Sequence, residues 1–155
     1  QTQQPEVPRP IAAMAYVGDR YHAFEEYFDL YRSTGGRAFF NFSWAGFFLG
    51  IFWMLYRKMY LEGFIIFAIC TFIYLLGLYF DFSTENLSLL QCIYIAVDGR
   101  RLYWKSMNRR IDRAYQMYQG QNSPALAWLK NHGGTNLWLV ILGLIIVIAA
   151  FMIDI

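Results

Sequence analysis

A run of 22 residues from Met59 to Phe80 constrains this chain more than any other feature. Within the run only Glu62 carries a charge, and it stands near the start. A helix needs about 20 apolar residues to cross the hydrocarbon core of a bilayer, so this run is long enough to span it. We therefore expect lipid rather than water to surround part of the protein.

Other apolar runs accompany the first and point to a multi-spanning chain. The composition agrees, since 57% of the residues are hydrophobic and only 15% are charged, whereas soluble domains have about 25% charged residues. We expect an all-α membrane protein with about three transmembrane helices. They are 59–80, a short span at 87–99, and 137–153, which is at the low end of spanning length.

The N-terminal part is more polar and is expected to lie outside the bilayer. Residues 1–15, which contain Pro5, Pro8 and Pro10, predict a flexible tail. Residues 16–36 predict an amphipathic cytoplasmic helix, because aromatic and acidic side chains separate onto opposite sides at helical spacing. Its aromatic stripe could pack on the rest of the protein or dock on a partner or the lipid boundary. The membrane domain is then 37–155.

A basic segment at 100–130 sets the expected orientation. Its first part predicts an amphipathic helix with an aromatic face and a basic face. Positively charged residues beside membrane segments prefer the cytoplasmic side, so this segment is expected inside, while the acidic loop 81–86 is expected outside. The basic residues proposed to contact anionic lipid or a partner are Arg100, Arg101, Lys105, Arg109 and Arg113.

The apolar run at 39–56 has basic residues at both ends, including Arg57 and Lys58 after it. Because both ends are then expected at the cytoplasmic face, the run predicts an interfacial or re-entrant helix. The alternative is a full crossing that leaves the N-terminus outside. Arg57 and Lys58 would mark the headgroup level, where they either anchor a helix end or bind a lipid phosphate or an acidic patch of a partner.

Gly46 and Gly50 in the same run form a GxxxG motif, which is a signal for close contact between helices. Trp44 and Trp53 flank the motif and are expected to take part in the same packing.

The ionisable and nucleophilic residues form no pattern that predicts catalysis. His22 and His132 lie outside the apolar runs, and no Cys or His cluster has the spacing of a zinc site. We therefore expect no catalytic residues, no metal, no cofactor and no enzymatic activity. Nucleic acid is not expected as a partner either, because the apolar face beside the basic stripe suits a membrane surface.

The part of the chain from about Phe39 to Asn136 resembles a known family of small bacterial inner-membrane proteins, catalogued as a domain of unknown function. The resemblance lies in an FNxxW start, a Phe- and Gly-rich stretch, an FWxLYRKMY end and a downstream Leu102-Tyr103 before the basic helix. The family commonly has an Asn shortly before that Leu-Tyr pair, where this chain has Asp98-Gly99. The resemblance implies a bacterial, multi-pass inner-membrane protein and implies no activity.

Together these features favour a non-catalytic accessory or scaffold subunit of a larger inner-membrane complex, with other membrane subunits as partners. The alternative is a module that binds anionic phospholipids through its basic residues. A small transporter component is a weaker alternative, because an ion path would need ionisable groups deep in the bilayer.

Overall fold

The computed structural model describes residues 7–37, 42–118 and 121–153, and these residues form helices without any strand. The predicted all-α class is therefore confirmed. A short 3-10 turn at Gly18–Arg20 separates the first two helices. The helices are α1 Arg9–Val17, α2 His22–Ser33, α3 Trp44–Leu49, α4 Ile51–Tyr56, α5 Tyr60–Phe80, α6 Leu87–Tyr118, α7 Asn122–His132 and α8 Leu137–Ile153.

The chain divides into two compact units. Unit 1 comprises Gln1–Phe39 and Arg100–Gly134, and so contains α1, α2, α7 and the later part of α6. Unit 2 comprises Phe40–Gly99 and Thr135–Ile155, and so contains α3, α4, α5, α8 and the beginning of α6.

Unit 1 is built around a buried aromatic core. Tyr103 from α6 lies 5.5 Å from Phe24 and 6.1 Å from Phe28 of α2, measured between ring centroids. Tyr16 from α1 lies 6.3 Å from the same Tyr103 ring. All four side chains are buried, and aromatic pairs at such distances add to the free energy of burial. This core fixes α1 and α2 against α6.

The start of unit 1 differs from the predicted tail and single helix. Residues 1–6 of that tail lie outside the described residues, and α1 begins at Arg9. Pro10 is compatible with a helix there, because proline is accepted in the first turn, where the amide N–H has no helical partner. The predicted helix 16–36 is divided, since Gly18 has a φ of 75° and ends α1.

Unit 2 contains a break in the apolar run predicted at 39–56. Gly50 has a φ of 49°, a left-handed value that glycine adopts without steric cost, and it separates α3 from α4. At six residues each, α3 and α4 are about 9 Å long, well short of the roughly 30 Å hydrocarbon core.

The remaining contacts of unit 2 place α4 against α5 and α8. Gly143 of α8 packs closely against the ring of Phe52 from α4. A Cβ at this position would lie 2.6 Å from a ring carbon. At the start of α8, the Asn136 backbone N–H donates to the carbonyl oxygen of Tyr56 at 2.8 Å. Its side-chain amide donates to the hydroxyl of Tyr60 at 3.0 Å. Asn136 therefore joins the end of α4, the start of α5 and the start of α8.

The expectation of about three transmembrane helices is not supported. Among the described helices, α5 alone is long and apolar enough to cross a membrane by length and composition. The predicted span 137–153 forms α8, but its 17 residues extend only about 26 Å. The predicted span 87–99 is the beginning of α6, which continues for 32 residues into the basic segment, so its apolar part is diluted by charged residues.

Candidate membrane-contacting surface

The outside of α5 is apolar around almost its whole circumference. Only 11% of its most apolar 18-residue stretch is buried, although the helix packs on α4. Phe64 and Phe72 are each more than 60% exposed, and Tyr79 is 82% exposed. Helices of water-soluble proteins normally turn one apolar stripe to the core and a polar face to the solvent. The surface of α5 has no such polar face.

Other helices of unit 2 also expose large apolar side chains. Trp138 of α8 is 81% exposed, and α6 exposes Leu89 and Leu90 near its start. Monomeric soluble proteins rarely expose a contiguous apolar patch larger than a few hundred Å². This exterior therefore suits contact with lipid chains or with other apolar helices. Further exposed apolar side chains of α8 are Leu137, Ile141, Leu142, Leu144, Ile145, Ile146, Ile148 and Met152.

Both α3 and α4 contact one face of α6. The N–H of Ser43 donates to the carbonyl oxygen of Ala96 at 2.8 Å, and a Cβ on Gly46 would lie 3.0 Å from the carbonyl oxygen of Ile95. One turn later, a Cβ on Gly50 would lie 3.2 Å from the sulfur of Cys92. After the break, the ring of Trp53 lies against Gly99. The contacted residues of α6, at spacings of three and four, share one side of that helix: Cys92, Ile95, Ala96 and Gly99.

These contacts show that the chain runs along α6 and then returns. From Ala96 to Cys92 the contact point moves about 6 Å toward the N-terminal end of α6, and from Cys92 to Gly99 it moves back by about 10 Å. The turning point is Gly50, where the helix is broken. We call this pair of short helices, α3 and α4, the α3–α4 hairpin.

The hairpin separates the four residues predicted for helix packing. Gly46, Gly50 and Trp53 are buried against α6, so the GxxxG motif is occupied by a helix of the same chain. Trp44 lies elsewhere: it is 67% exposed and stacks on Phe48 with ring centroids 5.9 Å apart. The tryptophan pair therefore does not act as one packing element.

Arg57 and Lys58 follow the hairpin but differ in their surroundings. Arg57 caps the end of α4 and is only 4% exposed, with its guanidinium 5.6 Å from the centroid of the Tyr56 ring. Lys58 is half-buried and has a φ of 56°, a left-handed value that is unusual for a residue with a side chain. Arg57 is thus part of the packing of the chain, and Lys58 forms the turn into α5.

The predicted basic residues of α6 belong to unit 1, whereas Arg57 and Lys58 belong to unit 2. Within unit 1, the guanidinium of Arg100 lies 4.3 Å from the centroid of the Tyr27 ring. This is a favourable cation–π geometry that holds its side chain against α2. Arg101 is half-buried. Among the predicted basic residues of α6, those with exposed side chains are Lys105, Arg109 and Arg113.

The sequence-based interpretation missed residues that organise both units. Arg110 donates to the carbonyl oxygen of His132 at 3.1 Å and lies 5.6 Å from the Tyr16 ring, and so joins α6 to α7 and α1. Its neighbour Arg109 is exposed, and a helical wheel separates the two by 100°. Asn136 was also missed, although an Asn directly before an apolar run is a typical N-cap signal. Within the described ranges, no group of three or more His, Cys, Asp or Glu side chains could hold a metal ion.

A comparison with known protein families yields a match to part of the chain. The sequence profile described as "Protein of unknown function (DUF2628)" matches residues 8–109, which is more than half of the 155 residues. The matched range runs from the residue before α1 into the later part of α6, and so includes the α3–α4 hairpin and α5. No curated protein and no solved structure matches the chain. The predicted resemblance to a domain of unknown function is thus confirmed, and the chain belongs to the DUF2628 family.

Proposed function

We propose that this chain is a non-catalytic, multi-pass protein of the bacterial inner membrane that serves as an accessory or scaffold subunit of a larger membrane assembly. The observation that carries the proposal is the exterior of α5, a helix of 21 residues with only 11% of its most apolar stretch buried. In water this exterior would lose the free energy of apolar burial, about 25 cal/mol for each Å² left exposed.

In this proposal α5 crosses the bilayer, and α8 and the beginning of α6 lie in it beside α5. A helix shorter than the hydrocarbon core is accommodated by local thinning of the bilayer, at a fraction of a kcal/mol per Å of mismatch. Seven Lys or Arg residues between Arg100 and Lys130 favour the cytoplasm for that segment. The loop 81–86, which contains Asp81 and Glu85, is then outside.

The α3–α4 hairpin supports a re-entrant segment in place of a full crossing. Its contacts begin and end near Ala96 and Gly99 of α6 and turn back at Gly50. Both ends of the hairpin are therefore expected at the same membrane face, the one near Arg100 and Arg101. This agrees with the basic residues that flank the run on both sides.

The role as a subunit is supported by the exposed apolar faces of α5 and α8, which no other part of unit 2 covers among the described residues. The GxxxG motif is already used inside the chain, so a partner would contact the apolar faces of α5 or α8 instead. Helices in lipid associate through close van der Waals packing. Such faces can therefore bind the helices of another membrane protein.

Purification from native membranes tests this proposal. The chain is extracted with a mild detergent and sized on a native gel, and the co-migrating proteins are identified by mass spectrometry. We expect migration with larger partners and no extraction by alkaline carbonate. A lone monomer in mild detergent would contradict the subunit role. A monodisperse particle without detergent would contradict the membrane assignment as a whole.

A second candidate function is recognition of anionic lipid, and the exposure of Lys105, Arg109 and Arg113 favours it. Each basic residue near an anionic membrane surface contributes about 1 kcal/mol. The test compares anionic lipid retained by the purified chain with that retained by a triple Gln variant of these residues. An Arg20→Gln variant, at an exposed site in the 3-10 turn, is the control. Equal retention by all three proteins would reject this function.

A further inference from the structure

A cavity of about 340 Å³ opens within unit 1, among α1, α2 and α6. Its volume lies in the range of pockets that hold small molecules, about 300–1,000 Å³. The residues that line it are Arg9, Ala13, Arg32, Trp104, Met107 and Asn108. We call it the Arg9–Arg32 cavity.

Two guanidinium groups from different helices stand at this cavity. Arg9 of α1 donates to Asp112 at 2.8 Å and to the side-chain oxygen of Asn108 at 3.4 Å. Arg32 of α2 pairs with Asp29 at 3.1 Å. Each guanidinium carries five N–H donors, and these bonds do not use all of them.

The cavity also has an apolar floor and an aromatic wall. Ala13 and Met107 are each 2% exposed and form the floor. The wall is the indole of Trp104, which is held by the Tyr31 ring at 5.9 Å and by Gly36, where a Cβ would lie 2.9 Å from the indole. A fixed, partly exposed indole offers a flat apolar face.

The geometry points to a binding site for a small organic anion, with its phosphate or carboxylate on Arg9 and Arg32 and a planar apolar body against Trp104. Guanidinium groups recognise phosphate and carboxylate through paired, charge-assisted hydrogen bonds. The phosphate could come from a soluble compound or from the headgroup of an anionic lipid. Because all six lining residues belong to unit 1, this inference does not depend on the membrane placement of unit 2.

Calorimetric titration of the full chain in an uncharged detergent tests the site, with phenyl phosphate as the probe at low ionic strength. We expect saturable binding that weakens about tenfold or more in Arg9→Gln and in Arg32→Gln, because each loses a charge-assisted hydrogen bond. Arg20→Gln, at an exposed site in the 3-10 turn outside the cavity, is the matched control and should bind as the wild type does. Trp104→Leu should weaken phenyl phosphate more than inorganic phosphate.

A further variant keeps the test valid if an arginine substitution impairs folding. Asp112→Asn leaves Arg9 in place but removes the carboxylate that competes for it, so phenyl phosphate should bind severalfold more tightly. A parallel titration with dihexanoyl phosphatidic acid identifies a lipid source if that lipid binds more tightly than phenyl phosphate. Equal binding of phenol and phenyl phosphate, equal losses of affinity in Arg20→Gln and Arg32→Gln, or no saturable binding would each overturn the inference.

Discussion

Ser43 donates its backbone N–H to the carbonyl oxygen of Ala96 at 2.8 Å, which ties the start of α3 to the first third of α6. The side chain of Ser43 also accepts a hydrogen bond from the N–H of Gly46 at 3.2 Å and so caps α3. One residue therefore begins the short helix and fixes it to its neighbour. The close approach of the two backbones is possible only because Gly46 has no side chain.

The first prediction concerns that approach. Gly46→Ala should lower the free energy of unfolding by about 1–3 kcal/mol, because the new Cβ would press on the backbone of Ile95 and Ala96. Gly63→Ala in α5 is the matched control, since its Cβ would meet only ordinary contacts at 3.7 Å and beyond. That variant should be neutral or more stable by up to about 1 kcal/mol. Thermal unfolding in detergent measures both, and equal effects would contradict the packing.

The second prediction concerns the backbone at Lys58. Its φ of 56° costs a residue with a side chain about 1 kcal/mol, and glycine would avoid this cost. Lys58→Gly should therefore keep or raise the melting temperature. Lys105→Gly, at an exposed site in the interior of α6, should lower it, because glycine weakens a helix interior by about 1 kcal/mol. Destabilisation by both variants would instead assign a structural role to the Lys58 side chain.

The third prediction concerns topology and uses single cysteines in a chain with Cys70→Ala and Cys92→Ala. Glu85→Cys should react with an impermeant maleimide added to intact cells, because it lies in the loop expected outside. Lys105→Cys should react only after the membrane is made permeable, because the basic segment is expected in the cytoplasm. Both positions are exposed, so protection by burial does not confuse the comparison. Labelling of Lys105→Cys in intact cells would reverse the proposed orientation.

The fourth prediction concerns Tyr21 in unit 1. Burial, followed by the charges of Glu25 and Asp29, raises the pKa of its hydroxyl above the ordinary value of 10.0. The folded state therefore holds this proton more tightly than the unfolded state, so its contribution to stability is full below pH 10 and is lost as the pH rises above it. Denaturant titrations from pH 8 to 11 should show a smaller decline in Tyr21→Phe. Equal declines in the wild type and in Tyr21→Phe would contradict this assignment.

The long apolar helices were predictable from the sequence, and the breaks between helices were not. The predicted run Met59–Phe80 corresponds to α5, which begins one residue later. The predicted run Leu137–Ile153 corresponds to α8 and has the same bounds. Length and uniform hydrophobicity determine such helices. At Gly50 the sequence showed a helix-contact motif, but it could not show that the glycine also breaks the helix with a positive φ.

The continuity of the apolar and basic parts of α6 as one helix was not predicted, for a different reason. Asp98-Gly99-Arg100 indicated the end of a membrane segment, yet none of these residues is a proline, and the helix continues through them. Hydropathy indicates whether a segment prefers lipid or water. Whether a helix continues depends instead on whether each residue can keep the helical backbone conformation and its hydrogen bonds. The positions of Arg9 and Arg32 were also beyond sequence reasoning, because only the tertiary structure brings them to the same cavity.

The bonds made by Asn136 bear on the order in which the protein is assembled during translation. This residue lies 76 positions after Tyr60, which it binds, and the segment Arg100–Gly134 is synthesised between them. The ribosome therefore completes the second segment of unit 1 before it delivers the residue that joins α8 to α4 and α5. Until Asn136 has been synthesised, α4 can pack on α5 but not yet on α8.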